Sequence, residues 1–382
     1  MKKIAAAVPD FFKRADMLLF LLCCTCSVFG IVVISSATAS YETPRYLIVQ
    51  IGAFAIGIGL FLFLTVIDIE TIADNWLILM TFSVIILLLL IPFGRGGEET
   101  GNASWLRFLG VGLQPSEVVK VIFVVLLAKH ISYLKEYKSL NSIISVGQMV
   151  LHFGFIFSLI IVVSGDLGSA LVFFFVFFVM LFSAGLKLYW FVIGAAALSA
   201  ITPFVWDNAL SERQQERILA PYFSDIVDPE GFDVTWQANQ SKLALSSGQL
   251  RGTGLGYGTQ TQSKALPEKH TDFIFAVIGE ELGMIACCAV IILLMLIVIR
   301  CVYIGIKSGN TMNMLVCFGV ASFIFAQMAE NIGMCIGVAP VIGITLPFFS
   351  YGGSSLFTTL AAAGLVSGVK YRPKPERFRS YG

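Results

Sequence analysis

Hydrophobic and polar positions along this chain segregate into long blocks, not into the short alternations of soluble helices or strands. Apolar runs of about 20 residues, the length that crosses a bilayer core, fall near 17–39, 45–67, 75–93, 115–133, 146–164, 168–185, 187–206, 272–299, 312–338 and 354–370. The pattern predicts an all-α polytopic membrane protein with about ten transmembrane helices, forming one integral membrane domain over 1–382. Only Gly185, Leu186 and Lys187 separate the sixth run from the seventh, and the tenth is rich in Ala and Gly. Lys2, Lys3, Lys13 and Arg14 precede the first run as in a signal peptide, but that run is long enough to span and reads as a retained helix.

Two polar or irregular stretches break the pattern. The first, 207–271, lies between helices 7 and 8 and is too long for a mere connector. Within it, Trp236 to Leu245 predicts a short amphipathic helix on the membrane surface, and Gly248, Gly252, Gly254, Gly256 and Gly258 predict a flexible loop. The second runs from Ala339 to Gly353 and contains Pro347, Ser350 and Tyr351. Irregular backbone near membrane depth is tolerated only where protein or a wet cavity surrounds it. Two such segments facing one side imply a shared site.

Composition fits this picture: 57% of residues are hydrophobic and 13% charged, against roughly 25% charged in soluble domains. That excludes a soluble globular protein, and so large an apolar fraction excludes disorder. A net charge of +1 argues against a nucleic-acid partner. Basic residues gather in the N-terminal tail, at Lys129, Lys135, Lys138, Lys187, Arg300 and Lys307, and in the tail from Lys370, while the short loops on the other side hold Arg45, Arg95 and Arg107. Since Lys and Arg are retained inside, both termini are expected in the cytoplasm and 207–271 outside. The eight cysteines lie in or beside apolar runs and read as small core residues. His130, His152 and His270 are scattered, and the glycines at 252–258 do not fit G-x-G-x-x-G, so no metal, nucleotide or redox motif is written here.

Few charges remain to carry chemistry. Asp272 directly precedes Phe273-Ile274-Phe275, where water meets the apolar phase. Partial burial there would raise its pKa toward that of a general base. On position alone a helix cap is the commoner role, and Thr271 could fill it instead. Glu280 and Glu281 lie about two turns further on, where a structural pairing is at least as common as catalysis. Glu117 and Lys120, spaced i,i+3, share a helix face; they read as an internal ion pair or as a lysine offered to a pyrophosphate in a polar cavity. Asp166 falls in a tight turn as a candidate cap, and Glu330 with Asn331 reads as polar packing.

The run Leu266-Pro267-Glu268-Lys269-His270-Thr271-Asp272-Phe273-Ile274-Phe275-Ala276, continued by Gly279-Glu280-Glu281-Leu282-Gly283, resembles the signature of the SEDS family (shape, elongation, division and sporulation). Gln114-Pro115-Ser116-Glu117 with Lys120 and Leu346-Pro347-Phe348-Phe349-Ser350-Tyr351-Gly352-Gly353 resemble its other motifs, and Gln237 and Gln240 stand where the family's long outer loop has them. The resemblance implies a peptidoglycan glycosyltransferase of the bacterial cytoplasmic membrane, polymerising Lipid II on the outer face with a class B penicillin-binding protein as partner. It implies Asp272 as catalytic base of an inverting transfer, with Glu117 and Lys120 in the central cavity. Positive charge for the leaving pyrophosphate would come from Lys120, Arg107, Arg213, Arg217 or a divalent cation (Mg or Mn). Glu268, His270, Gln237, Gln240, Ser350 and Tyr351 complete the expected site. Gly258-Thr259-Gln260-Thr261-Gln262 is closer to the elongation branch (RodA) than to the division branch (FtsW), which implies a role in elongation and cell shape; a division or sporulation role is the alternative within the family. The family arginine expected directly before Trp105 is absent, since Ser104 stands there and Arg107 is the nearest candidate. A Lipid II flippase and a non-catalytic scaffold are the competing classes.

Overall fold

The computed structural model describes residues 11–371, except 12, 42, 96–103, 109–110, 209 and 264. Lys2, Lys3, Asn102, Ala103 and the basic residues after Lys370 lie outside the described residues. Long helices dominate: α1 (Met17–Ala37), α2 (Arg45–Val66), α3 (Trp76–Leu88, continued by Leu90–Phe93), α4 (Pro115–Tyr137), α5 (Ile143–Leu159, ending in a π-helical turn Ile160–Ser164), α6 (Leu167–Ala184) and α7 (Leu188–Asn208). Then come α8 (Glu212–Leu219), α9 (Trp236–Gly248), α10 (Ile274–Lys307), α11 (Thr311–Ile336) and α12 (Gly353–Tyr371). Eight of these are long and apolar enough to cross a membrane. Helices α4 and α12 are less apolar because most of their residues face other helices and not lipid.

Local chemistry sets the helix ends. Asp16, Ser142, Asp166 and Asn310 each cap a helix by accepting a backbone N–H, and Gly185 and Gly337 end α6 and α11 in the left-handed region. Gly185 at φ 89° is what splits the sixth apolar run from the seventh. At the opposite end from 207–271, buried Asp16 accepts from Arg300 at 2.6 Å and pairs with Lys370 at 3.1 Å, which ties α1, α10 and α12 together. One feature departs from an all-helical expectation: an antiparallel sheet in the order β1 (Gly94–Arg95), β2 (Trp105–Phe108), β3 (Val111–Leu113) leads into α4.

Two expectations for 207–271 are corrected. Helix α9 is not a free surface helix: it packs on α10 and α11, with Ser241 donating to the Cys335 carbonyl at 2.8 Å and Ala244 fully buried. The glycine-rich stretch is not a loose loop either. It is pressed against a break in α10 at Gly283 (φ 80°, ψ 179°), and a Cβ at Gly248 or Gly252 would sit 1.9 or 2.2 Å from backbone oxygens of Gly279 or Glu281. Glu280 holds that stretch by accepting from Gln260 N, Thr261 N and Thr261 Oγ1, and Glu281 by accepting from Ser36 and Gln262. Both glutamates are therefore structural, and hydrogen bonds to neutral donors hold them.

Inside the bundle, small residues let helices approach closely, as expected where lipid supplies no hydrophobic drive for association. Gly364 of α12 lies so near α2 that an added Cβ would be 2.6 Å from the Phe61 carbonyl oxygen, and Thr65 donates across the seam to the Gly364 carbonyl at 3.2 Å. Gly364→Leu should thus force the two helices apart and lower thermal stability in detergent by about 1–3 kcal/mol or more. Gly52→Ala, which meets nothing within 4 Å, should leave the melting temperature near wild type.

Candidate functional site

The two irregular segments meet, and hydrogen bonds lock them together. The His270 carbonyl accepts from Tyr351 N at 2.8 Å and the Thr271 carbonyl from Ser350 Oγ at 2.6 Å, while that same Oγ accepts from Leu346 N at 2.7 Å. From α11, Asn331 donates through its amide nitrogen to the carbonyls of Asp272 and Ile344, both at 2.7 Å. Gln50 of α2 completes the set, donating to the Ser350 carbonyl at 3.1 Å and accepting from Gly352 N at 3.2 Å. Irregular backbone buried among helices needs such partners for every N–H and C=O.

Within this frame Asp272 is not a cap. Helix α10 starts after Phe273, whose side chain makes no capping bond, and Thr271 spends its hydroxyl on Glu268. The Asp272 carboxylate accepts no hydrogen bond from the described residues. It is half-buried, and Gly343 leaves it room: a Cβ there would sit 3.4 Å from Oδ2. Burial, with the negative fields of Glu268 and Asp166, pushes its pKa up to about 7. Asp166 is committed elsewhere, capping α6 through Ser169 N (2.9 Å) and accepting from Ser169 Oγ (2.7 Å) and Gln114 Nε2 (2.9 Å), although burial raises its pKa too.

The segment 343–345 that backs Asp272 also walls a small polar pocket. Opposite it, Lys120 and Glu117 form the ion pair expected from their spacing, at 2.8 Å and almost wholly buried. Gln327 donates to the second Glu117 oxygen at 3.1 Å, and the Lys120 ammonium lies 4.8 Å from the Phe323 ring centroid. Ser116 and Ser169, 3.0 Å apart, connect this pair to the Asp166 cluster. Ser116 belongs to the Gln114–Glu117 motif, but nothing in the sequence marks Ser169 or Gln327, because a lone polar residue in an apolar helix carries no sign of what it faces.

The other expected site residues divide. Ser350 and Tyr351 join the frame described above. His270 is buried within a ring of Tyr41, Tyr46 and Tyr351, at centroid distances of 5.5, 4.9 and 5.4 Å. Glu268 is exposed at a strained φ of 47°. Gln240 is buried and Gln237 half-buried on α9. The arginines are not brought to the cavity: Arg107 is exposed on β2, Arg213 is exposed and 3.9 Å from Asp233, and Arg217 is half-buried on α8. Alternation along β2 explains the first, since Leu106 points inward and its neighbour must point out. Among the described residues no group of three or more His, Cys, Asp or Glu side chains is placed to hold a metal ion.

Because Glu117 and Lys120 neutralise each other in a buried place, removing one strands the other. Lys120→Met should destabilise the protein by about 3–5 kcal/mol, read as a fall in thermal midpoint in detergent. The double variant Glu117→Gln/Lys120→Met should recover most of that loss.

Comparison with known proteins gives a consistent result. The FtsW/RodA/SpoVE family model, described as a cell cycle protein, matches residues 16–374. The chain is 32% identical over 368 residues to a probable peptidoglycan glycosyltransferase FtsW of Geobacter metallireducens, covering 95% of this chain and 96% of that one. It is 31% identical over 324 residues to the peptidoglycan glycosyltransferase MrdB of Escherichia coli, covering 84% of each. Among solved structures, a chain from work described as "Structural coordination of polymerization and crosslinking by a peptidoglycan synthase complex" aligns with a TM-score of 0.77 at 28% identity, covering 96% of this chain and 99% of that one. The rod shape determining protein RodA of Thermus thermophilus aligns at 0.68 and 25% identity, covering 94% of this chain and 98% of that one. With the family model matched over nearly the whole described chain, this multi-pass membrane protein belongs to the FtsW/RodA/SpoVE family, the SEDS proteins.

Proposed function

We propose that this protein is a peptidoglycan glycosyltransferase that polymerises Lipid II, an undecaprenyl-pyrophosphate-linked disaccharide peptide, by an inverting transfer with Asp272 as general base. The observation that carries the reading is a carboxylate without a hydrogen-bond partner among the described residues, set in a backbone frame whose carbonyls are paired, with a pKa raised to about 7. A base in that range is about half ionised at neutral pH and basic enough to accept a hydroxyl proton as the new bond forms. Asp272 takes the proton of the acceptor's sugar 4-hydroxyl; that oxygen attacks the donor's anomeric carbon, and undecaprenyl pyrophosphate leaves from the opposite face. Lys120, which lines the pocket, is the proposed cation for the leaving diphosphate. It would exchange Glu117 for the phosphate oxygens while Gln327 keeps its hold on Glu117.

The proposed setting is the bacterial cytoplasmic membrane, crossed ten times, with both termini inside and 207–271 outside. The distribution of Lys and Arg supports that orientation. A class B penicillin-binding protein is the proposed partner, consistent with the synthase-complex structure that this chain resembles. The local sequence Gly258 to Gln262 supports the elongation branch, and with it a role in cell shape.

Purified protein with labelled Lipid II in detergent tests the reading, because no transport is possible there and a flippase would make no glycan. Wild type should form polymer, and Asp272→Asn should lose about 10²–10⁴-fold in rate. The base must be deprotonated to act. The wild-type rate should therefore rise with pH through about 7 and fall about tenfold per unit on the acid side. Polymer from Asp272→Asn at the wild-type rate would end the base assignment.

A further inference from the structure

Helix α7 is 21 residues long and none of them is wholly buried; Trp190 and Phe191 at its start pack on the rest of the protein, and most of the remainder is exposed. An apolar helix so exposed faces lipid along most of its length, so its two ends mark the two faces of the bilayer. At the end nearest 207–271, Gln215 of α8 donates to the carbonyls of Trp206 (2.7 Å) and Leu210 (3.4 Å). That bond folds α8 back onto the last turn of α7 and fixes its depth at the bilayer boundary. Helix α8 is capped by Ser211 and Gln214 in a reciprocal box and carries Arg213 and Arg217 beside Glu212 and Glu216.

The next residues would be out of place in water. Tyr222, Phe223, Ile226 and Phe232 are 66, 53, 77 and 72% exposed, a density of large apolar side chains that marks an interaction surface. They are not on a loose tail. Asp228 accepts from Gly231 N, Phe232 N, Asp233 N and Thr235, which holds the turn carrying Phe232 in one shape. Near the end of α7 that these residues follow, Ile201 and Phe204 are also exposed.

We propose that residues 212–232 lie in the headgroup region of the leaflet at this end of α7, and that this surface binds the bilayer itself. Tyr222, Phe223, Ile226 and Phe232 enter the upper acyl chains, while Arg213 and Arg217 stand at the level of the lipid phosphates. Aromatic side chains favour this boundary, and cations beside an inserted apolar face are the ordinary signature of an interfacial segment. The membrane-surface element of 207–271 is thus α8 with the residues after it, not the helix over 236–245.

The test uses the full-length protein in lipid nanodiscs, with Ile226→Trp and, separately, Phe223→Trp. Each replaces an exposed side chain, and size-exclusion profile and thermal midpoint check that the variant is folded. Subtracting the wild-type signal isolates the added indole. With acyl-brominated lipids its emission should fall about twofold or more relative to unbrominated lipids, as expected for a ring about 5–10 Å into the headgroup and acyl boundary, while iodide in the buffer should quench it little. Indole emission quenched by iodide and indifferent to bromine would overturn the proposal. So would an indole shielded from iodide only when a transpeptidase partner is added, which would make this face a protein interface.

Discussion

Polar backbone buried among membrane helices has no water to turn to, and every unpaired N–H or C=O there costs several kcal/mol. The site depends on how this chain meets that constraint. Two segments that are neither helix nor strand, 266–273 and 339–352, satisfy each other: Asn331 holds one carbonyl from each, and Ser350 both donates to one segment and accepts from its own. Bonds that must all be made leave little freedom. The segments are rigid without regular structure, and they present Asp272 and the wall of the polar cavity from a fixed frame.

The same accounting separates Asp272 from the acids packed around it, while Glu330 on α11 also keeps a carboxylate oxygen without a partner among the described residues. Glu280 and Glu281 are consumed in pinning the glycine-rich stretch. Asp166 is consumed by Ser169 and Gln114, and Glu117 by Lys120 and Gln327. Asp272 has no donor among the described residues, and burial with like charge keeps its proton affinity high. Availability here is the residue left by structural demand elsewhere, and the demand is visible bond by bond.

Close approach is the second recurring device. Glycines at 248, 252 and 283 allow the stretch after α9 to lie directly on the break in α10, and Gly364 does the same between α2 and α12. In both places a single methyl would collide with backbone, which cannot move aside as a long side chain can. Such contacts supply the dispersion attraction that holds helices together where lipid tails compete on equal terms for apolar side chains.

Much was legible in the chain itself. Blocks of apolar residues set the helices because a bilayer needs about 20 such residues per crossing, and the ion pair of Glu117 with Lys120 follows from i,i+3 spacing alone. The motif residues Leu266 to Ala276 and Leu346 to Gly353 carried the family. What sequence could not supply was the partner of each polar group, because partners lie as far apart as Asn331 and Asp272 or Gln50 and Ser350. It therefore could not say that Asp272 is no cap, that the glycine-rich stretch is packed, that Arg107 points away, or that α9 rests on protein. Periodicity reports which positions are apolar. Only the tertiary structure decides what those positions and the few charges among them face, since contacts between distant segments are set by the whole packing and not by any local pattern.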